Sequence, residues 1–119
     1  MSIITNIIVS KPPVNGIAFK EAIDLGLVCA AFEHKVNLIF IDSGLYCLLK
    51  NQHADLTGDK NHVDILKGLE FYDIDTIYFE KESLDELAIS AADLIDNVEV
   101  LSTKELNQLN HAANHLVNF

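Results

Sequence analysis

Two cysteines, Cys29 and Cys47, are the residues of this 119-residue chain with the widest chemical reach. A reactive thiolate needs an exposed position near a helix N-terminus or a cation. Cys29 stands among Leu25, Leu27, Val28, Ala30 and Ala31, surroundings in which a thiol acts as a small hydrophobe. Cys47 is the better catalytic candidate, because it follows Gly44 just after an apolar run of strand length, the edge at which α/β folds place ligands. Its neighbours Tyr46, Leu48 and Leu49 argue for packing instead. The two thiols are 18 positions apart with no CxxC, and spacing alone leaves a disulfide between them open.

Other chemistries find less support. His111 and His115 would share a face if the last helix reached that far, but no third ligand follows at a diagnostic spacing, so a helix-end pair is preferred and no metal is expected. His34, His53 and His62 read as surface or turn residues. Asp42, Asp73 and Asp75 suggest a phospho-receiver, yet the first strand ends in Val9-Ser10-Lys11 without an acidic pair, and Asp73 and Asp75 precede their strand. They read as turn residues. The loop after the first strand, residues 10–16 (SKPPVNG), carries two prolines that remove amide donors, and neither GxGxxG nor GxxxxGK[ST] occurs. No cofactor is therefore expected.

The elements that must position these side chains follow from composition and pattern. Half of the residues are apolar and 22% are charged, which excludes the disordered class and fits one domain over 1–119. Apolar stretches at 26–32 and 44–49 are far shorter than the ~18 residues of a membrane span. The N-terminus lacks a signal-peptide layout, so a reducing cytoplasm is expected. The formal net charge is -10, and it is uneven: residues 1–60 hold five lysines against six acids, residues 61–119 three against twelve. There is no arginine, and without a basic track direct nucleic-acid binding is disfavoured. A basic partner subunit fits better.

Strand-length apolar runs at 5–9, 36–41, 76–79, 97–101 and 115–117 alternate with predicted helices at 18–32, 61–69 and 104–113. A short helix is expected over 44–49, a polar loop over 50–60, and a further helix capped by Ser83 with Glu86 and running through Ile89. Ser102 or Thr103 would cap the last helix. The expected fold is α/β: a three-layer α/β/α domain of flavodoxin-like architecture with a mostly parallel five-stranded sheet.

The helix at 18–32 is apolar on the side that should meet water. Its polar stripe of Lys20, Glu21 and Asp24 continues into Leu27, Val28 and Ala31. Residues 44–49 likewise lack a polar face. Leu27, Val28, Ala31, Leu45, Tyr46, Leu48 and Leu49 are therefore expected to form a subunit interface, the alternative being a cover supplied by a loop of the same chain.

Four segments resemble one family. Residues 40–49 (FIDSGLYCLL) are similar to F-I-x-x-G-[VL]-[FY]-x-L-L, and 66–74 (LKGLEFYDI) to K-x-L-x-x-Y-D-I, of the DsrE/DsrF superfamily in its TusC/DsrF branch. Lys20-Glu21-Ala22-Ile23-Asp24 stands where that branch has R-E-G-L-D, and residues 116–119 (LVNF) resemble its ending. The resemblance spans the whole chain. It implies a non-catalytic subunit of a cytoplasmic sulfur relay, assembled with TusB-like and TusD-like sister subunits in a heterohexamer that passes persulfide sulfur between donor and acceptor proteins towards 2-thiolation of the tRNA wobble uridine. The sister's catalytic cysteine would correspond to the stretch 78–83 (YFEKES), which has none. Three alternatives stand beside this: a sulfur carrier using Cys47, a subunit of a dissimilatory sulfur-oxidation DsrEFH complex, and a stand-alone flavodoxin-like regulatory domain.

Overall fold

A computed structural model describes residues 3–13, 17–50, 62–74 and 76–119, with the side chains of His62 and Val63 excepted. The expectations for the loop 50–60, beyond Lys50 itself, and for Gly16, His53, Asn61 and Asp75 lie outside the described residues.

Five strands, β1 (Ile4–Val9), β2 (Lys35–Phe40), β3 (Ile77–Glu80), β4 (Val98–Leu101) and β5 (His115–Asn118), form one parallel sheet in the order β4-β3-β2-β1-β5. The central strands read as unbroken apolar runs because both of their faces are covered, a pattern typical of parallel sheets. Ile7 and Ile8 point to opposite faces and both are buried.

One face carries the main core. There α1 (Ile17–Ala31), a 3₁₀ segment (Asp42–Leu48), α2 (His62–Gly68) with a 3₁₀ turn (Leu69–Tyr72), and α3 (Lys81–Glu86) surround Ile7, Val9, Val36, Leu38, Phe40, Ile77 and Phe79. The other face carries α4 (Thr103–Ala112), whose Leu106 and Leu109 pack on Ile8, Ile39, Tyr78 and Leu101. Beneath α4, Asn37 Nδ2 donates to Asn6 Oδ1 at 2.9 Å, and Asn6 Nδ2 donates to the Leu109 carbonyl and to Asn110 Oδ1. Ser102 caps α4 reciprocally with Glu105, as its sequence pattern predicts.

Two expectations need correction. Ser83 does not cap a helix: α3 starts earlier, at Lys81, and ends at Glu86, short of Ile89. Ser83 is buried inside its first turn, because its hydroxyl is engaged elsewhere, accepting from the Asp42 N–H at 2.8 Å and donating to Glu80 Oε1 at 2.6 Å. The helical end is set by Ala88, whose φ of 55° lies in the left-handed region. Second, the preferred helix-end pairing of His111 and His115 fails: the last helix ends at Ala112, within a residue of its predicted end, and His115 opens β5, so the two do not share a helix face.

Candidate functional site

The segment 42–48 is pressed against the end of β1. A Cβ on Gly44 would lie 2.0 Å from the Val9 carbonyl oxygen, so only glycine allows the chain this approach. The Ile41 N–H donates to that same carbonyl, and Asp42 turns the chain at a φ of 47°. In a 3₁₀ turn residues three apart eclipse, so Leu45 and Leu48 point the same way. Both are completely buried in the chain's own core.

This geometry corrects the expected interface. Leu45 and Leu48 present no surface to a partner, and Leu49 is half-buried against the core, held by an antiparallel bridge to Leu94. Tyr46 is half-buried. On α1 the expectation fares differently: Leu27 is half-buried, while Val28 and Ala31 are exposed, so the solvent side of this helix is apolar.

Cys47 follows the same turn inward. It is completely buried, its Sγ lies 3.8 Å from the Lys11 carbonyl oxygen, and burial pushes its pKa up to about 12. Among the described residues Cys47 is thus a packing thiol, the reading its neighbours Tyr46, Leu48 and Leu49 favour in sequence. Cys29, expected in the core, is half-buried at its border. The thiol that sequence placed inside is the more accessible one.

The C-terminal ends of β3 and β4 hold a polar lock. Glu80, closing β3, accepts from Ser83 Oγ through one carboxylate oxygen and from Thr103 Oγ1 at 3.3 Å through the other. Glu82 is held below the usual carboxylate range by hydrogen bonding at Thr103, and Lys81 above the usual lysine range by its ion pair with Asp85 at 2.9 Å. A site so occupied by the chain's own carboxylates repels an anion. The stretch 78–83 places Glu80, Glu82 and Ser83 here in sequence, but the engagement of the Ser83 and Thr103 hydroxyls is not visible there, because both read equally well as caps.

The histidines separate as well. His34 and His115 stack at 6.3 Å between ring centroids, and Thr5 Oγ1 contacts His34 Nδ1 at 3.2 Å. No group of three or more His, Cys, Asp and Glu side chains is placed to hold a metal ion among the described residues. No helix among them is long and apolar enough to cross a membrane. Sequence reasoning also missed Phe32, Phe71 and Tyr72, which are exposed. Two aromatic residues directly before Asp73, in a turn with little room to bury them, were the available signal.

Comparison with known proteins places this geometry. The chain is 31% identical to a Pseudomonas aeruginosa TusC homolog over 87% of each chain, and 32% identical to TusC of Buchnera aphidicola, covering 84% of this chain and 85% of that one. It is 31% identical to the intracellular sulfur oxidation protein DsrF of Allochromatium vinosum, over 72% of this chain and 63% of that protein. Among solved structures, the ychN protein from E. coli superposes with a TM-score of 0.81 over the full length of both chains at 21% identity, a likeness of fold. The DsrE/DsrF-like family model matches residues 5–119. With its five-stranded parallel sheet and relatives of this kind along most of its length, the chain belongs to the DsrE/DsrF-like family.

Proposed function

We propose that this chain is a non-catalytic, shape-giving subunit of a cytoplasmic sulfur relay complex, assembled with TusB-like and TusD-like sister subunits, in which persulfide sulfur moves towards 2-thiolation of the tRNA wobble uridine. The observation that carries the reading is the closed state of the chemistry-bearing edge. Cys47 is buried with its pKa pushed up to about 12, and Glu80 fills the end of β3. A sulfur acceptor requires an accessible thiolate, and a neighbouring carboxylate disfavours one. Family membership and the TusC and DsrF relatives support a sulfur relay subunit.

The test is to load the reconstituted complex with labelled sulfur from an upstream persulfide donor and to digest each subunit. Label should pass to the sister's cysteine and leave this chain unlabelled. Label on Cys47 or Cys29 that moves onward at the rate of turnover would make this chain a carrier and end the proposal. The DsrF relative favours a second reading, in which the complex serves sulfur oxidation. Deleting the gene separates the two: loss of wobble 2-thiouridine marks the first, and intact tRNA with impaired sulfur oxidation marks the second.

A further inference from the structure

We infer that the edge of the sheet opposite the Glu80 lock, where α1 and the 69–72 turn lead into the N-terminal ends of β2 and β3, is the docking surface for a non-identical partner with apolar anchors and a lysine- or arginine-rich rim. This rests on the relay reading above and names the face by which the chain joins its sister subunits.

Four large apolar side chains stand out here. Val28 is 54% exposed, Phe32 74%, Phe71 83% and Tyr72 60%. Topology brings them to one edge. Val28 and Phe32 belong to the last turns before β2, Phe71 and Tyr72 to the last turn before β3, and β2 and β3 are parallel neighbours. α1 also meets the chain just after the 69–72 turn, since a Cβ on Gly26 would lie 3.4 Å from Ile74 Cδ1. Glu33 and Asp73 hold left-handed turns, with φ of 64° and 65°, and these turns leave the neighbouring aromatic side chains outside the core.

Charge chooses the occupant. Exposed acids flank the aromatic residues: Asp24 one turn before Val28, Glu33 after Phe32, and Glu70 and Asp73 on either side of Phe71 and Tyr72. Of the bases here, Lys67 and Lys50 line a groove with Glu70 and Asp96, and exposed Lys35 opens β2 beside Glu33, so the acids outnumber them. A second copy would bring the same excess of acids against these, and a chain with eight lysines, no arginine and 18 acids has few bases to answer it. Like charges brought together at an interface oppose binding. A cationic rim around apolar anchors answers both parts of the surface, and the exposed aromatics supply the kind of anchor on which such interfaces depend.

The experiment titrates the purified full chain with its purified sister subunits and reads affinity by sedimentation. The double variant Phe32→Ser/Phe71→Ser should bind at least about tenfold more weakly, with Val100→Ser, at the β4 edge, as the control that binds normally. Asp24→Lys should weaken binding too, and raising salt from about 50 to about 500 mM should weaken the wild type but leave Asp24→Lys less affected. Circular dichroism checks that each variant is folded. If the wild type binds its sisters and the folded double variant binds equally well, the assignment of this face is wrong and the relay reading stands. A wild type that binds no sister overturns both. Self-association that protects Phe32 and Phe71 makes the occupant a second copy and overturns the hetero-partner inference.

Discussion

The two faces of the sheet are built to different depths. On one, α1, the 42–48 segment, α2 and α3 enclose a continuous core running from Ile7 through Phe40 and Leu48 to Ile95. On the other, a single helix of 10 residues packs Leu106 on Ile8 and Ile39. Five strands at about 4.8 Å spacing make a sheet roughly twice as wide as one helix. The outer strands therefore meet solvent on the thin side, where Glu99, Leu116 and Asn118 are exposed. The thin face also contains the buried polar pair Asn6 and Asn37, with Asn37 Oδ1 lacking a hydrogen-bond partner. Stability is concentrated on the thick face; the thin face is specified by caps and polar contacts.

The strongest way to break this contrast is at Gly44. Alanine there drives a Cβ into the Val9 carbonyl, a backbone atom that cannot rotate away, so the segment holding Leu45, Cys47 and Leu48 must lift. Gly44→Ala should cost more than about 3 kcal/mol or prevent folding. Leu48→Ala should cost about 2 to 5 kcal/mol, whereas Leu109→Ala on the thin face, where the side chain is half-buried, should fall below that range. Denaturant midpoints at constant slope check all three. Equal losses from Leu48→Ala and Leu109→Ala would refute the asymmetry.

Cys47 gives the contrast a pH dependence. An unfolded thiol titrates near about 8.5, whereas the folded one is pushed up to about 12. The neutral thiol therefore contributes its full stability below about pH 8.5. That contribution is lost as pH rises towards 12, because over that window the unfolded chain binds fewer protons than the folded one. At about pH 10.5 wild type should have lost roughly 2.5 kcal/mol relative to Cys47→Ala, compared with their difference at about pH 8. Groups common to both proteins cancel in this comparison, and a pH-independent difference would place the thiol in water. Cys47→Ser should cost about 1 to 3 kcal/mol by burying a hydroxyl, and Cys29→Ser, at the half-buried border of the core, less than about 1 kcal/mol.

How much of this was legible in sequence depended on whether the deciding contact was local. The strand runs, the helix of α1 and the Ser102 cap are set by residues within a few positions of one another, and periodicity and capping pattern located them to within one or two residues. Residues 44–49 defeated the same reasoning. Their lack of a polar face was correctly seen, but whether an apolar run is covered by its own chain or by another depends on where Val9 and Phe40 lie. For Leu45 and Leu48 the cover was their own core. Ser83 departs from its sequence pattern for a related reason: a hydroxyl three positions before Glu86 looks like a cap until Asp42, 41 residues away, supplies the donor that captures it. The relative burial of the two thiols has this origin too, since Cys47 is carried inward by a turn that glycine alone permits.

The smallest predicted effect sharpens the comparison most, because it touches the thin face without changing its apolar contacts. Ser102 accepts from the Glu105 N–H at 3.1 Å, and Glu105 returns a carboxylate oxygen to the Ser102 N–H at 3.0 Å. Ser102→Ala leaves the Glu105 N–H of α4 without its partner and should cost about 1 kcal/mol. Since α4 is the helix that covers Ile8 and Ile39 and leads into β5, the loss should be felt locally. Amide exchange should quicken in α4 and in the β1–β5 pairing, while β2, β3 and the 42–48 segment keep their protection. Uniform acceleration across the whole sheet would mean that the two faces open together, and that the thick face draws more of its stability from α4 than its own packing indicates.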